Sequence, residues 1–429
     1  MRILILGSGG REHAFAWKLS QSPLCEKLLI APGNAGTSQF GTNLNFTFND
    51  FAAIRKCCVE EKIDLVLVGP EEPLVKGITD FLKNDPDLKG MEIIGPSKAG
   101  AQLEGSKAFA KAFMQKFNIQ TAAYGEFTLN NYQEGCDYIE DHALPVVLKA
   151  DGLAAGKGVL ICENHVEALA EFELMLQRAK FGEAGKKVVV EEFLSGIELS
   201  VFVLSDGKNY VILPEAKDYK RIGEGDIGPN TGGMGAVSPV PFADEAFKKK
   251  VEEKIIKPTI EGLKIEGLDY CGFIFFGLIK VGDEPFVIEY NCRMGDPETE
   301  VVMPRLKNDL VELLHATANQ SLENVKIEID PRFACGVVAV SGGYPGDYEK
   351  GLPISGLDKK TSNDYLLFHA GTTLKDGEIV TNGGRVLCMT SMANSLEQAV
   401  IGSIIKLDKI SFKGMAYRSD IGYEFFDQE

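Results

Sequence analysis

Paired cysteines of the kind that bind zinc are missing from this sequence. Its 9 cysteines are odd in number and scattered, and no two of them form a Cys-x-x-Cys pair. The spacing therefore indicates neither a disulfide framework nor a structural zinc site. We expect most of these thiols to be buried and reduced.

Positive charge is also scarce. The 45 Lys and Arg residues are outnumbered by 62 Asp and Glu residues, which gives a formal net charge of −17 at pH 7. Such an acidic chain is a poor match for nucleic acid or for an anionic membrane surface. A local basic pocket in it can still bind a small anion.

Long hydrophobic runs are the third absence. The apolar stretch Ile3–Leu6 is much too short for the core of a signal peptide, and no later run is long enough to span a bilayer. We therefore expect a cytoplasmic protein that binds neither a membrane nor nucleic acid.

Alternating strand and helix patterns fill the first hundred residues of this 429-residue chain, which is long enough for roughly three domains. The predicted strands are Arg2–Gly7, Lys27–Ala31, Ile63–Gly69 and Met91–Gly95, and the predicted helices are Glu12–Ser20, Phe51–Lys62 and Leu74–Lys83. This alternation predicts a doubly wound parallel sheet, whose ligands bind at the carboxyl ends of the strands. Three loops at that edge stand out, namely Gly7–Glu12, Pro32–Gly36 and Gly69–Pro73.

The first of these loops resembles a dinucleotide-binding turn but departs from it. Glu12 occupies the position of the third glycine in the Gly-x-Gly-x-x-Gly pattern. A glycine loop that opens a helix can still bind phosphate on free N–H groups, and Arg11 would add a charged fork. Phosphate binding and a plain tight turn both remain open.

A glycine-rich loop, Asp151–Gly158, follows the predicted strand Leu144–Lys149. It is not a P-loop, because Asp151 stands at the first glycine position and Gly158 replaces the Ser or Thr that follows the lysine. A flexible loop of Gly and Ala suits a lid over a triphosphate.

A second glycine-rich loop, Gly228–Ala236, follows a basic cluster at Lys217–Arg221. So many glycines form a poor core segment but can surround an anion. An anion-binding loop and a plain surface loop are both compatible with this pattern.

The most informative stretch runs from Ile288 to Glu300. If the strand before it continues through Arg293, then Glu289, Asn291 and Arg293 share one face, because alternate strand residues point the same way. Two oxygen ligands and a guanidinium suit a hard cation and a phosphoryl group. An edge strand with a polar face is the alternative.

Together these motifs resemble the ATP-grasp superfamily and, within it, the phosphoribosylamine–glycine ligase family. The motifs are Gly7–His13, Gly69–Leu74, Ser106-Lys107, Lys149–Val159, Glu191–Ser200, Asn230–Ala236 and Asn291–Glu300, with Gly371-Thr372 and Gly383–Leu387 near the C-terminus. The resemblance implies an N-terminal α/β domain (1–103), an ATP-grasp body (104–325) with a mobile lid at about 122–194, and a C-terminal α+β domain (326–429).

The resemblance also implies the reaction. Glycine would be joined to 5-phosphoribosylamine through glycyl phosphate while ATP becomes ADP and phosphate, a step of de novo purine biosynthesis. Lid closure would exclude water from the reactive intermediate. The expected partners are these three small molecules with Mg²⁺ or Mn²⁺, and the chain is expected to act as a monomer.

Residue roles follow from the same resemblance. The implied metal ligands are Glu289 and Asn291, and the implied catalytic residues are Arg293, Asp296 and Asp218. The implied ATP-binding residues are Lys107, Lys149, Gly152, Gly156, Lys157, Gly158, Glu191, Glu192, Phe193, Leu194 and Glu198. The implied substrate-binding residues are Gly9, Gly10, Arg11, Glu12, Lys220, Gly232, Gly233, Pro297 and Glu298.

One feature departs from the superfamily. Many ATP-grasp enzymes carry another acidic metal ligand on the strand that precedes the Glu-x-Asn pair, but Cys271–Leu278 has no carboxylate. Either one side chain fewer holds the metal, or a residue elsewhere substitutes for it.

Three other functions remain as alternatives. Another ATP-grasp carboxylate–amine ligase or carboxylase would differ in the substrates that stimulate ADP release. A nicotinamide-dependent dehydrogenase is suggested only by Gly7-Ser8-Gly9, and cofactor binding would reveal it. A non-catalytic nucleotide-binding module would show no turnover.

Overall fold

The computed structural model describes residues 1–154, 158–178, 180–357, 362 and 364–428. The strands are β1 (Arg2–Gly7), β2 (Lys27–Pro32), β3 (Thr42–Asn43), β4 (Leu65–Val68), β5 (Glu92–Ile94), β6 (Tyr124–Thr128), β7 (Val146–Ala150), β8 (Val159–Cys162), β9 (Lys187–Glu192), β10 (Ile197–Ser205), β11 (Tyr210–Ile212), β12 (Lys217–Asp218), β13 (Arg221–Gly223), β14 (Ile227–Asn230), β15 (Gly235–Ser238), β16 (Gly272–Val281), β17 (Glu284–Asn291), β18 (Phe333–Val340), β19 (Tyr365–His369), β20 (Thr372–Lys375), β21 (Glu378–Thr381) and β22 (Arg385–Ala393).

The α-helices are α1 (Gly10–Leu19), α2 (Phe51–Glu60), α3 (Glu71–Lys76), α4 (Ile78–Lys83), α5 (Gln102–Gly105), α6 (Lys107–Lys116), α7 (Tyr132–Asp141), α8 (His165–Leu176), α9 (Glu245–Val251), α10 (Lys257–Ile265), α11 (Thr299–Arg305), α12 (Leu310–Ala318) and α13 (Leu396–Leu407). A π-helical turn, Glu252–Ile256, joins α9 to α10. Across the described ranges, none of these helices combines the length and the apolar character that a membrane crossing needs.

The N-terminal sheet confirms the predicted doubly wound architecture. Its strands are all parallel and lie in the order β3-β2-β1-β4-β5. Both faces of β1 are covered, since Ile3 and Ile5 enter one hydrophobic cluster and Leu4 and Leu6 enter the other. The strand order reverses between β1 and β4, and such a switch point is where these sheets form a crevice.

The helix predicted at Leu74–Lys83 is wrong in detail, because two helices cover this stretch. The chain adopts a left-handed conformation at Gly77, with φ of +94°, and this residue ends α3 before α4 begins. Glycine takes that conformation without the steric cost of a Cβ atom. The first helix starts earlier than predicted, which places Glu71 directly after β4.

Two antiparallel sheets make up the predicted ATP-grasp body. One has the order β6-β9-β7-β8 and packs against α7 and α8, and the other has the order β11-β10-β16-β17. They meet where Lys149 of β7 donates from Nζ to the carbonyl oxygen of Ile288 of β17 at 3.4 Å. The lysine therefore reaches from one sheet to the other.

A third sheet, of order β12-β15-β18-β22-β19, joins two stretches of sequence. Gly235 of β15 pairs with Val337 of β18, so strand pairing crosses the boundary predicted near residue 326. Helix α13 covers β18 and β22. The C-terminal part of the chain is therefore anchored to the body by backbone hydrogen bonds.

Candidate functional site

A buried group of two lysines and one glutamate lies near the junction of the two ATP-grasp sheets. The Nζ atoms of Lys149 and Lys111 lie 2.8 and 3.1 Å from the same oxygen, Oε2 of Glu191. Burial lowers the pKa of Lys111 to about 8, although the carboxylate of Glu191 opposes the shift. Lys111 was absent from the predicted set, and its only signal was the one-turn spacing from Lys107.

The start of the predicted lid loop, at Asp151 and Gly152, is anchored to α6. Asp151 caps this helix, since its Oδ1 accepts hydrogen bonds from the Ser106 hydroxyl at 2.9 Å and the Ala108 amide at 2.8 Å. Lys107 donates to the carbonyl oxygen of Gly152 at 3.2 Å. Burial lowers the pKa of Lys107, while nearby Glu289 acts against that shift.

Other predicted ATP-binding residues flank this region. Gly158 is buried, Phe193 is exposed, and Leu194 is half-buried. Glu192 accepts a hydrogen bond from the Ala123 amide at 2.8 Å. The predicted Gly156 and Lys157 lie outside the described residues.

Three residues predicted to have different roles form a single cluster. Lys220 Nζ lies 2.6 Å from Glu198 Oε2 and 3.2 Å from Asp218 Oδ1. Burial alone would lower the pKa of Lys220, but the carboxylates of Asp218 and Glu198 raise it well above its ordinary value. Glu289 adds to this effect, so the cluster borders the predicted metal ligands.

Glu289 and Asn291 lie at the end of β17, on the face opposite Tyr290. Tyr290 is buried, and its hydroxyl lies 3.0 Å from that of Thr259. Within the described part of the chain, no hydrogen bond or ion pair engages the side chains of Glu289 and Asn291. Their oxygens are therefore free to bind a hard cation.

Few side chains near Glu289 and Asn291 can serve as ligands for such a cation. No group of three or more His, Cys, Asp or Glu residues suited to a metal was found among the described residues. Carboxylate and amide oxygens suit Mg²⁺, which binds through one or two carboxylates together with substrate phosphates. The residues present therefore fit a metal that is held partly by a nucleotide.

The expected strand continuation through Arg293 is wrong, because β17 ends at Asn291. The next amide, of Cys292, donates to Glu104 Oε2 at 2.8 Å instead of continuing the ladder. The guanidinium of Arg293 pairs with Glu104 at 2.8 Å and Glu71 at 3.2 Å. Burial alone would raise the pKa of Glu71, but the guanidinium of Arg293, with that of Arg11, lowers it to about 2.

Two of the N–H groups that we expected to be free at the start of α1 already donate hydrogen bonds to carboxylates of the protein. The amide of Gly9 donates to Glu12 Oε2 at 2.6 Å, and that of Arg11 donates to Asp296 Oδ2 at 3.2 Å. The Arg11 side chain pairs with Glu12 Oε1 at 2.6 Å and is buried. The protein's own carboxylates thus occupy part of the anion-binding position predicted for this loop.

Glu12 fills the crevice at the switch point of the N-terminal sheet. A Cβ atom on Gly69 would lie 2.0 Å from Glu12 Oε1, and one on Gly7 would lie 2.5 Å from its Cδ atom. Glycine is therefore required on both sides of this carboxylate. Gly10 faces a second carboxylate, since a Cβ atom there would lie 2.0 Å from Glu300 Oε1.

A cleft of about 690 Å³ separates the N-terminal loops from the C-terminal sheet. Its lining residues are Ser8, Gly9, Pro32, Gly33, Asn34, Ala35, Asn43, Leu44, Asn45, Asp296, Tyr344, Ala370, Gly371, Thr372, Thr373, Leu374, Asn382, Gly383 and Arg385. Two of the loops flagged in the sequence, the one opening α1 and the one after β2, meet here. The third, at Gly69–Pro73, does not line it.

Arg385 was not predicted as a site residue, but it contacts several residues that were predicted. A Cβ atom on Gly232 would lie 3.0 Å from its Cζ atom, and one on Gly233 would lie 2.5 Å from Cδ of Pro297. Its guanidinium donates to the Gly232 carbonyl oxygen at 2.7 Å. The structure therefore brings the second glycine-rich loop beside the Asp296-Pro297 segment.

Glu298 is a buried carboxyl group close to these segments. Its Oε1 accepts a hydrogen bond from the Ser200 hydroxyl at 3.2 Å. Burial, together with the charge of Asp218, raises the pKa of Glu298 to about 7. This group can therefore gain or lose a proton near neutral pH.

Comparisons with known proteins identify the family of the chain. The sequence model of the Phosphoribosylglycinamide synthetase family matches through its N domain at residues 1–104, its ATP-grasp (A) domain at 105–299 and its C domain at 334–424. The chain is 46% identical over 432 residues to Phosphoribosylamine–glycine ligase of Vibrio parahaemolyticus, covering 100% of this chain and 99% of the relative. Identity to the enzyme of that name from Pseudomonas aeruginosa is 45% over 438 residues, with the same coverage.

Solved structures give the same result. The crystal structure of Phosphoribosylamine–glycine ligase from Thermotoga maritima has a TM-score of 0.83 and 36% identity, covering 98% of this chain and 100% of that one. The biotin carboxylase domain of Hydrogenobacter thermophilus 2-oxoglutarate carboxylase shares the fold, with a TM-score of 0.75, 16% identity, and coverage of 99% and 93%. By sequence over its full length and by fold, the chain belongs to the phosphoribosylglycinamide synthetase family.

Proposed function

We infer that the chain is an ATP-dependent ligase that joins glycine to 5-phosphoribosylamine in purine biosynthesis. Its relatives that share 45–46% identity carry the name Phosphoribosylamine–glycine ligase. The observation that carries the inference is the position of Asp296. It lines the cleft and lies three residues from Arg293, in the segment that follows the Glu289–Asn291 pair.

The chemistry requires activation of glycine. A carboxylate is a poor electrophile because its charge is delocalised and it has no good leaving group. Transfer of the γ-phosphoryl group of ATP to a carboxylate oxygen of glycine gives glycyl phosphate and ADP. The amine of 5-phosphoribosylamine then attacks the carbonyl carbon, the carbon–oxygen bond to phosphate breaks, and the amine releases one proton.

ATP would lie between the two sheets of the body. Lys107 and Lys149 supply positive charge to its phosphates, and the Asp151–Gly158 loop covers them. The backbone at the end of β9 and just beyond it, from Glu191 to Leu194, faces adenine, and Glu198 reaches the ribose. Phosphoryl transfer is stabilised mainly by positioning and by charge, which this set of side chains can supply.

Glu289 and Asn291 would hold Mg²⁺ or Mn²⁺. Such an ion would supply positive charge that offsets the charge of the ATP phosphates. The support for this assignment is that both side chains lie on one face of β17 and that neither makes a hydrogen bond or ion pair with the residues that the structure describes. Arg293 would meet the transferring phosphoryl group.

The phosphoribosyl group would occupy the cleft rather than the N-terminus of α1 alone. Its walls are loops from both the N-terminal and C-terminal sheets, and Arg385 lines it as a cation. Gly9 lines this space, Gly232 contacts Arg385 in its wall and Gly233 packs against Pro297, whereas the side chain of Arg11 is paired with Glu12. A phosphate group is well matched by a guanidinium fork.

Asp218 and Glu298 would receive the amino groups of the substrates. Their mutual repulsion keeps the pKa of Glu298, already raised by burial, near 7. Glu298 is therefore suited to accept the proton that the attacking amine releases. Lys220 balances the charge of Asp218 at 3.2 Å.

The direct test is ADP release with glycine and freshly made 5-phosphoribosylamine, each omitted in turn. Rapid release should require both substrates. Stimulation by bicarbonate in place of glycine would contradict the proposal and favour a carboxylase. Sedimentation of the purified chain would test the expected monomer.

A further inference from the structure

The guanidinium of Arg293 lies between two carboxylates that belong to neither ATP-grasp sheet. Its Nη2 atom is 2.8 Å from Glu104 Oε1, and its Nε atom is 3.2 Å from Glu71 Oε2. Glu71 begins α3, directly after β4 of the N-terminal sheet, and Glu104 lies on α5. Two helices outside the nucleotide-binding sheets, α3 and α5, therefore hold the side chain of Arg293. This residue follows the proposed metal ligands in the sequence.

Glu104 also holds the backbone at this point. Its Oε2 atom accepts hydrogen bonds from the amide of Cys292 at 2.8 Å and from the thiol of the same residue at 3.1 Å. Donors from two successive residues thus converge on one carboxylate, whose side chain is only 6% exposed. This carboxylate sets the direction in which the chain leaves β17, one residue beyond Asn291.

Stability alone does not explain two carboxylates here. One carboxylate would neutralise Arg293, and desolvation offsets much of the attraction in a buried ion pair. Two carboxylates at different nitrogen atoms of a planar fork instead fix its orientation. The arrangement is therefore suited to holding a guanidinium in one direction.

The guanidinium of Arg293 is also linked, through a shared hydrogen-bond acceptor, to the start of α1. The Nη1 atoms of Arg293 and Arg11 both donate to the carbonyl oxygen of Met294, at 3.3 and 3.1 Å. Arg11 lies in the first turn of α1, next to the loop residues Ser8 and Gly9 that line the cleft. The edge of the N-terminal sheet thus contacts the end of β17 through Glu71 and through Arg11.

We propose that Glu104 and Glu71 are positioning residues for phosphoryl transfer, because they hold the guanidinium of Arg293 at the end of β17. The proposal rests on the proposed function of Arg293 at the transferring phosphoryl group. Each carboxylate acts through the guanidinium and not on a substrate. The N-terminal domain is then part of the phosphoryl-transfer machinery as well as a wall of the cleft.

Charge-removing variants of the two carboxylates test this proposal. Glu104→Gln should lower kcat about tenfold or more and change KM for ATP and glycine less than about twofold, since a displaced catalytic group costs rate more than ground-state binding. Glu71→Gln should give the same pattern with a smaller loss. Glu72→Gln is the matched control, because this neighbouring, half-buried carboxylate pairs with Lys76 at 2.6 Å, and its kcat should not change.

A double variant separates positioning from general damage to the fold. In an Arg293→Lys background, Glu104→Gln should add less than about twofold to the loss of kcat, since residues that act as a unit are not additive. Losses that multiply, or carboxylate variants that raise KM without lowering kcat, would overturn the proposal. If Glu104→Gln does not fold, Glu71→Gln in the same background carries the comparison.

Failure of the proposed function would look different. A wild-type kcat in Arg293→Lys would show that Arg293 itself takes no part in phosphoryl transfer. A large loss in Arg293→Lys, with wild-type kcat in both carboxylate variants, would overturn only the positioning role.

Discussion

Arg385 and Asp296 form an ion pair, with 3.0 Å between Nη2 and Oδ1, that joins the C-terminal sheet to the loop after β17. The guanidinium also donates to the backbone carbonyl oxygen of Asp296, at 2.5 Å. Both residues line the cleft, so the pair forms part of its wall. The side chain of Arg385, from the third sheet, thus contacts the segment around Asp296. To this segment we assign the joining of glycine to 5-phosphoribosylamine.

Replacing this arginine should affect one substrate selectively. Arg385→Ala should raise KM for 5-phosphoribosylamine about tenfold or more, with less than about a twofold change for ATP, because a charge-assisted bond to the phosphate would be lost. Steady-state kinetics with each substrate varied would measure this. Arg332→Ala is the control, since its guanidinium pairs with Asp330 and Asp364 away from the cleft. Equal increases for both substrates would contradict the assignment.

Removing the charge of Glu289 should weaken metal binding. Glu289→Gln keeps the shape of the side chain, so the Mg²⁺ concentration that gives half-maximal rate should rise about tenfold, and excess metal should restore part of the rate. A titration of activity against Mg²⁺ measures this shift. Glu284→Gln, on the same strand but paired with Lys250 and Lys254 at the surface, should titrate like the wild type. An unchanged Mg²⁺ titration in Glu289→Gln would indicate that this strand has only a structural role.

Two buried histidines at the junction of the N-terminal and C-terminal parts should make stability depend on pH. The amide of His369 donates to Nδ1 of His13 at 2.6 Å. Burial lowers the pKa of His369 to about 4, and burial also lowers that of His13 well below its ordinary value. Both rings are therefore neutral in the folded protein.

The sign of the effect follows from these shifts. The unfolded chain takes up protons below about pH 6.5 while the folded rings do not, so stability is fully present above that pH and is lost as the pH falls toward 4. At pH 5 the loss from His369 should be roughly 2 kcal/mol relative to pH 7.5. His369→Asn should reduce the pH dependence of Tm, whereas His315→Asn, at a ring 56% exposed, should not. A Tm that is constant from pH 7.5 to 5 in the wild type would refute this account.

The fold was largely predictable because its strongest signals are local. Short apolar strands that alternate with helices indicated the parallel sheet, and Ile3, Leu4 and Ile5 are all fully buried, as strands covered on both faces should be. The break at Gly77 was missed, since the apolar pattern of Leu74–Lys83 continues across it. A glycine in a helical pattern is compatible with both a continuous helix and a break.

The candidate site was predictable only where its residues follow one another in sequence. Glu289 and Asn291 share a face through strand alternation, but the partners of Arg293 lie far away along the chain. Glu104 precedes it by 189 residues and Glu71 by 222. Only the folded structure brings such residues together, although Glu71 did lie in a loop that the sequence singled out.

The transfer of oxygen from glycine to phosphate tests the central claim most directly. The protein would turn over glycine labelled with ¹⁸O in its carboxyl group, together with ATP and 5-phosphoribosylamine, and the released phosphate would be examined by mass spectrometry. If glycyl phosphate forms, the oxygen that bridged carbon and phosphorus leaves with phosphate, so each phosphate should carry one ¹⁸O. Phosphate without ¹⁸O, released while the ligated product forms, would contradict the account.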